Sequence, residues 1–469
     1  MIPSNAGTSG CDPTIPIDVR FSSTTNRIYF EHTLGTTTGG CATLGMLYET
    51  RTTSAGIPEG PIYVMDENDN IIMEPTTPTG RWYINADLYV TDGITFEAIG
   101  LAQGGDADTL RVESTSDRFW NIRGHGGSLY FEGTTVTSWD PSAGGPQENY
   151  DSGRSYISCI SELTGYDSGC DLGFAKADMG ECRMDILDSE MGYLGWFDSE
   201  SYGLTWKVRG FCVDESNPEV FENVNVYGDI MRSDIHHMYY GMYSYGHQEG
   251  VWINNLMHDN VQYGFDPHDD SDFLTISDNE VYNNGNHGII ASKRCNDVSI
   301  TNNYVHDGTG LIAAGIFLHR SSDNAVVTGN VVEKMPDAGI AIMESFGLKV
   351  YDNSFTDVKY GIRISVGGAE NEIYDNVFDT CSDYGLYTYQ GSDLPFTDSD
   401  GRPKNNIFMN NKVLNTVQGI KLGQADDTIF EGNEFSAETT LFEFQDSYET
   451  LFIDNIYEAG VEFDTSSTD

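Results

Sequence analysis

The sequence predicts an all-β fold, a right-handed parallel β-helix with an N-terminal cap, from three observations. A glycine preceded by an aromatic or small residue and followed by a short apolar run recurs at Gly203, Gly241, Gly264, Gly288, Gly315, Gly339, Gly361, Gly385 and Gly419. A second track, apolar-x-x-Asn-x-apolar, recurs at Asn255, Asn279, Asn303, Asn330, Asn353, Asn376, Asn411, Asn433 and Asn455, with a shared period of about 23 residues. The composition, with 51 Gly and 27 Tyr against only 24 Lys and Arg among 469 residues, favours strands and turns over helices. Two tracks with one period describe a solenoid whose coils each hold two or three short strands, since runs such as Gly288-Ile-Ile-Ala are too short for helical repeats.

Taken in chain order, residues 1–79 hold a few strand-like pieces (Ile17 to Phe21, Arg27 to Glu31) and are expected to cap the solenoid, whose end coil otherwise exposes a sheet edge. The helix itself is placed at 80–462, with weaker repeats at Trp82-Tyr-Ile-Asn and Gly127-Ser-Leu-Tyr-Phe. A short tail follows at 463–469. The one long step, Gly385 to Gly419, contains Gln390 to Pro403, a Gly-, Pro- and Asp-rich run that reads as a loop inserted between strands. Eight cysteines include no CxxC pair, which removes the usual zinc and thioredoxin spacings. One or two disulfides are expected among Cys159, Cys170, Cys182 and Cys212, implying an oxidising compartment. The start lacks a basic segment and an apolar core, so a secretion signal is expected to have been removed. The longest clean apolar run, Leu311 to Leu318, is too short to span a bilayer. The net charge of −49 argues against a nucleic-acid partner, which needs basic surface to replace counterions.

Side chains alternate along a strand, so positions +1 and +3 after each glycine are expected to face inward and +2 and +4 outward. The outward set is Thr205/Lys207, Tyr243/Tyr245, Asp266/His268, Ile290/Ser292, Phe317/His319, Ala341/Met343, Arg363/Ser365 and Tyr387/Tyr389. An ordinary solvated face would be Ser, Thr, Lys and Glu. This one carries His, Asp, Arg and Tyr, and Tyr stacks well on sugar rings. Coils lie about 4.8 Å apart, close to the rise per sugar of an extended polyuronate, so a polysaccharide is expected along the solenoid axis. Residues 287–363 carry seven basic and eight acidic groups, so an anionic polymer meets far less local repulsion there than the whole chain implies.

The densest stretch is Tyr263-Gly-Phe-Asp-Pro-His-Asp-Asp-Ser271, followed one coil on by His287-Gly-Ile-Ile-Ala-Ser-Lys293-Arg294 and then by His319-Arg320. His268 and Tyr263 are proton carriers, Asp266 is expected to orient the imidazole, and Lys293 and Arg320 are cations able to pair with a carboxylate. No close pair of outward carboxylates, as a glycosidase needs, is evident. The set suits removal of a weakly acidic proton beside a carboxylate, with cations stabilising the enediolate. Reprotonation from the opposite face then inverts the carbon, whereas loss of the 4-linked sugar is β-elimination.

The Tyr263 to Ser271 stretch, with its Asp-Pro-His core, resembles the signature of the mannuronan C-5-epimerases, and His287 to Lys293 is similar to the following coil of their bacterial periplasmic members. Tyr239 to Tyr245, Ser201 to Lys207 and Leu110-Arg-Val also resemble the family, so the resemblance covers roughly residues 80–390. It implies conversion of β-D-mannuronate to α-L-guluronate within alginate. His268 and Tyr263 would be the proton-transfer pair, Asp266 the support of His268, and Lys293, where the periplasmic members have Arg, the group that neutralises the substrate carboxylate. Arg320, His319, Lys207, Tyr243, Tyr245, Arg363, Phe317 and Asp269 are the expected substrate contacts. The calcium-binding glycine-rich nonapeptides of the secreted bacterial members are missing here, so neither calcium nor any other cofactor is implied. The expected protein is a secreted monomer of extracellular matrix or cell wall whose partner is poly-mannuronate. A lyase acting on the same polymer and a non-catalytic polysaccharide-binding β-helix are the alternatives.

Overall fold

The computed structural model describes residues 9–458 and 463–464, other than 34, 36–38, 51, 55–56, 73–78, 92, 152, 165–175, 179, 199–200, 210–220 and 222–223. The chain divides into two compact units, Met1–Val251 and Trp252–Asp469.

In the first unit, an antiparallel hairpin of Ile17–Ser22 and Arg27–His32 leads directly into parallel stacking. Arg27–His32 pairs with Asp87–Thr91, which pairs with Ile122–His125, then Ile157–Thr164, then Gly203–Arg209. A second column runs from Cys41–Thr43 through Thr95–Ile99 and Ser128–Glu132 to Met184–Leu187. Parallel coils therefore begin well inside the segment expected to be only a cap. Cys11–Cys41 and Cys159–Cys182 are bridged, each with Cα atoms less than 6 Å apart (5.3 and 5.5 Å). The second of these falls in the expected cysteine cluster, whose other members, Cys170 and Cys212, lie outside the described residues. Cys295 and Cys381 are buried free thiols. No helix among the described residues is long and apolar enough to cross a membrane.

The second unit is the regular solenoid. Phe265–His268, Ile289–Ser292, Ile316–His319, Ala338–Met343, Tyr360–Ser365 and Tyr384–Tyr389 form one parallel column. Thr275–Ser277 through Leu451–Ile453 and Leu256–His258 through Val377–Asp379 form two more. The inward positions behave as the alternation requires: Ile289, Ala291, Ile316, Leu318, Ile340, Ile342, Ile362 and Ile364 are fully buried. Each large aliphatic among them contributes about 1.5–3 kcal/mol of transfer free energy. Phe408, Phe430 and Phe452 add a stack with 4.9 Å between rings.

The two sequence tracks have different physical causes. A Cβ on Gly288 would lie 2.4 Å from Val305 Cγ1 and 2.9 Å from the Gly315 carbonyl oxygen, so coil-to-coil approach excludes any side chain there. The asparagines form a buried ladder. Asn330 Nδ2 donates to Asn353 Oδ1 at 2.9 Å and to the Ile300 carbonyl at 2.9 Å, and the Asn330 N–H donates to the same Asn353 Oδ1 at 2.9 Å. The same pattern repeats from Asn255 to Asn455. The amide donors and acceptors are thus spent on neighbouring coils rather than left unpaired in the interior.

Asn353→Ala should orphan two buried donors of Asn330 and lower stability by about 2–4 kcal/mol. Asn455→Ala, at the end of the ladder and only half-buried, should cost less. Urea unfolding of the two variants beside the parent chain measures the difference.

Candidate active site

The site is a strip of the second unit where the Phe265–His268, Ile289–Ser292 and Ile316–His319 strands end. Register sets His268 opposite Ser292 and Ser292 opposite His319. One residue further on, backbone hydrogen bonds continue the stack: Asp269 N–H donates to the Ser292 carbonyl, Lys293 N–H to that of His319, and Arg320 N–H to that of Met343. Asp269, Lys293, Arg320 and Glu344 therefore occupy successive rungs. All four have left-handed backbones, with φ of 29°, 62°, 54° and 49°, and Asp270 and Arg294 do likewise at 55° and 61°. Left-handed turns recur at other corners of the solenoid, at Asp278, Asn302 and Asp352 for example, and the one at these strand ends is the one that carries the charged side chains.

His268 is half-buried, and its Nδ1 is bonded to Asp269 Oδ2. Asp269 is buried, and its other oxygen accepts from Arg294 Nη2 at 3.1 Å; Arg294 also grips Asp270 through Nη2 at 2.8 Å. Asp269 so held keeps the His268 proton on Nδ1 and puts the basic lone pair on Nε2. This corrects the expected roles: Asp269, assigned to substrate, is the imidazole's partner, and Asp266 is not. Asp266 acts on His268 only electrostatically, whereas the left-handed turn at Asp269 folds the next carboxylate into hydrogen-bond contact with the ring. Arg294, absent from the expected set, completes the relay.

Asp266 is buried instead, and its Oδ1 has no hydrogen-bond partner among the described residues. Burial pushes its pKa up to about 7, against the pull of His268 and Lys293. It is a neutral acid below that pH, able to donate a hydrogen bond toward an anion. Perturbed, unsatisfied buried carboxyls cluster at functional sites, which makes Asp266 a site candidate.

His287 was not among the expected site residues. Its ring stacks on Tyr263 (5.6 Å, 14°) and meets the edge of Phe317 (4.9 Å, 76°). Its Nδ1 accepts the Ala314 N–H at 3.0 Å, which fixes the ring proton on Nε2. Burial lowers its pKa to about 3, so it is neutral. The signal for it was present: Tyr263, His287, Ala314, Ala338, Tyr360 and Tyr384 are the residues that precede successive glycines, and they form one column. Phe317 also lies against His319 (5.1 Å), whose Nδ1 is 2.8 Å from Ser292 Oγ and whose pKa burial likewise lowers to about 3. Tyr263, His287, Phe317, His319 and Ser292 thus touch in sequence, and Ser292 is the rung beside His268. The Lys293 ammonium is near enough to act on both Asp266 and His319.

The remaining expected contacts divide. Arg320 is engaged by Glu344 at 3.3 Å, by the Leu394 carbonyl at 3.1 Å and by the Phe396 ring, so its environment is a protein clamp. Arg363 pairs with Asp337 at 2.9 Å and donates to Tyr389 Oη at 2.9 Å, beside stacked Tyr387 and Tyr389. Lys207, Tyr243 and Tyr245 belong to the first unit, where the Lys207 ammonium lies 5.4 Å from the Tyr245 ring and Tyr243 packs edge-on to Tyr202. Several outward positions, Ile290, Ser292, Ala341 and Ser365, are themselves buried; Phe317 and Tyr360 pack against the cluster that holds Ala341, and His319 lies on Ser292.

A family described as a right-handed β-helix region matches residues 206–355, 240–401 and 350–468, more than half the sequence. The chain belongs to the right-handed β-helix family. This β-helix is 28% identical over 279 residues to a mannuronan C5-epimerase of Pseudomonas putida, covering 58% of the chain and 48% of that protein. It is 32% identical over 174 residues to the mannuronan C5-epimerase AlgG of Azotobacter vinelandii, covering 32% and 33%. The chain spans about half the length, or less, of the curated relatives it matches. The crystal structure of the periplasmic alginate epimerase AlgG superposes with a TM-score of 0.61 at 19% identity, covering 92% of this chain and 85% of that one, a likeness of fold. The resemblance read in the Asp-Pro-His stretch and the expected β-helix both agree with these relatives.

The titrations have opposite signs. Asp266, raised in the folded state, contributes stability that is full below about pH 4 and is lost as pH rises through about 7. His287 and His319, both lowered, contribute stability present above about pH 6.5 and lost as pH falls toward 3. Asp266→Asn should therefore remove about 1–3 kcal/mol of the decline in stability between pH 5 and 8, read as the melting temperature against pH.

Proposed function

We propose that this chain is a polymer-level mannuronan C5-epimerase, converting β-D-mannuronate to α-L-guluronate within alginate. The observation that carries the reading is the His268–Asp269–Arg294 relay, which holds a basic imidazole nitrogen on a face that also carries Tyr263, Lys293 and Asp266, whose pKa burial raises to about 7. In the proposed reaction the C5–H proton passes to one of His268 and Tyr263, and its electron pair delocalises into the carboxylate as an enediolate. The Lys293 ammonium and the Asp266 O–H stabilise that charge. A proton delivered to the opposite face of C5 completes the inversion with no bond to the neighbouring sugar broken. The curated relatives named mannuronan C5-epimerase support the substrate class. The buried partner of His268 supports a base of fixed tautomer rather than a mere binding face.

Poly-mannuronate incubated with the protein in D2O should gain guluronate anomeric signals and deuterium at C5, with no loss of polymer length. A lyase would instead produce unsaturated, UV-absorbing ends and shorter chains. His268→Ala and Tyr263→Phe should each lower turnover by at least about 100-fold with folding intact. Lys293→Ala should lower it by roughly 100-fold through lost neutralisation of the enediolate. Near-normal epimerisation by His268→Ala would sink the assignment, and the same assay with a chelator decides whether calcium is required.

A further inference from the structure

The inserted segment Gln390 to Pro403 does not project away from the solenoid. It leaves the coil that ends at Tyr389 and runs back along the turn column, where the Val366 N–H still pairs with the Gln390 carbonyl. Thr397 donates from its N–H at 2.7 Å and from Oγ1 at 3.0 Å to Glu344 Oε1, and Glu344 is fully buried. One rung further, Arg320 donates to the Leu394 carbonyl, lies 4.0 Å over the Phe396 ring and meets Asp393 Oδ2 at 3.5 Å. The loop tip therefore reaches the Arg320 rung, one coil from that of Lys293.

Two carboxylates share the Arg320 guanidinium, and they differ in kind. Glu344 is buried, at 3.3 Å from Arg320, and is tied a second time by Thr397, so it is a permanent counter-ion. Asp393 is 56% exposed, farther away, and carried on a loop whose Leu394 and Phe396 are also exposed. Only the Asp393 side of this pair is exposed, and a long contact to an exposed carboxylate contributes little and can be exchanged for a carboxylate from solution. Arg320 lies about 5 Å from the Lys293 rung along the coil axis, close to the spacing of neighbouring uronates.

We propose that Asp393 is an internal stand-in for a substrate carboxylate: it occupies Arg320 while the face is empty and yields it to a uronate adjoining the one held at Lys293. The 391–400 loop is then a specificity element for polyuronate binding, admitting a chain whose carboxylate displaces Asp393 and giving a neutral chain no such exchange. The inference deepens the proposed function and rests on its choice of substrate.

Calorimetric titration of the full chain with a mannuronate octamer, and with a neutral β-1,4-linked mannose octamer, tests it without requiring turnover. Asp393→Asn should tighten the mannuronate octamer by about threefold, and the gain should shrink at high salt. Asp398→Asn, which removes an equal charge from the same loop, should not match it. The gain should disappear in an Arg320→Gln background and be absent with the neutral octamer. Equal affinities for Asp393→Asn and Asp398→Asn, or a gain that survives Arg320→Gln, would overturn the proposal. Should the Arg320 variant fail to fold, the Asp393→Asn and Asp398→Asn comparison decides alone. If this binding pattern holds while the parent chain leaves C5 unexchanged, it is the epimerase reading that fails and the anion-exchange loop that stands.

Discussion

A hydrogen-bonded column of asparagine amides running from Asn255 to Asn455 is the constraint on which the second unit depends. Each amide ties one coil to the next through both a side-chain and a backbone donor, so a coil cannot slip by one residue without orphaning several buried polar groups. Register is thereby locked, and with it the identity of every residue that stacks on another. Insertions are tolerated only where they leave the ladder intact, and the Gln390 to Pro403 segment does so: Asn376 still reaches Asn411 at 3.0 Å across it.

Locked register converts a one-dimensional repeat into a chemical surface. The position preceding each glycine becomes a column in which Tyr263 rests on His287, and the first residue past each strand becomes a column of charge, Asp269, Lys293, Arg320 and Glu344. Because coils repeat at about 4.8 Å, charges that are more than twenty residues apart in sequence stand a sugar's length apart in space. The left-handed turns that end these strands turn the next side chain back beside the strand face, and the His268–Asp269 bond depends on that local geometry.

Burial then differentiates groups of the same chemical type. Asp266 and Asp269 are both buried carboxyls three residues apart, yet Arg294 and His268 compensate the second while the first has an uncompensated oxygen and a pKa raised to about 7. His268 keeps a carboxylate partner, whereas His287 and His319 are held neutral by burial. A single face thus holds a carboxylate-paired imidazole, a carboxyl of raised pKa and a cation within reach of one another, a combination that water would not sustain.

The amino-acid sequence by itself determined the coil, because period and alternation are properties of the chain: the glycine and asparagine tracks, the inward aliphatics and the position of the inserted loop are all read from it. It also marked the Tyr263 to Ser271 stretch and the Lys293 turn as the chemically dense region, since those residue types recur at the strand ends. What only the tertiary structure decided is pairing. That Asp269 rather than Asp266 holds His268, that Arg294 holds Asp269, that His287 lies under Tyr263, and that a loop from residue 390 onward closes on Arg320 all depend on turn dihedrals and on contacts between distant coils. Alternation along a strand specifies a face, but reach across a turn and depth of burial are set by the packed neighbours, and those exist only once the coils are stacked.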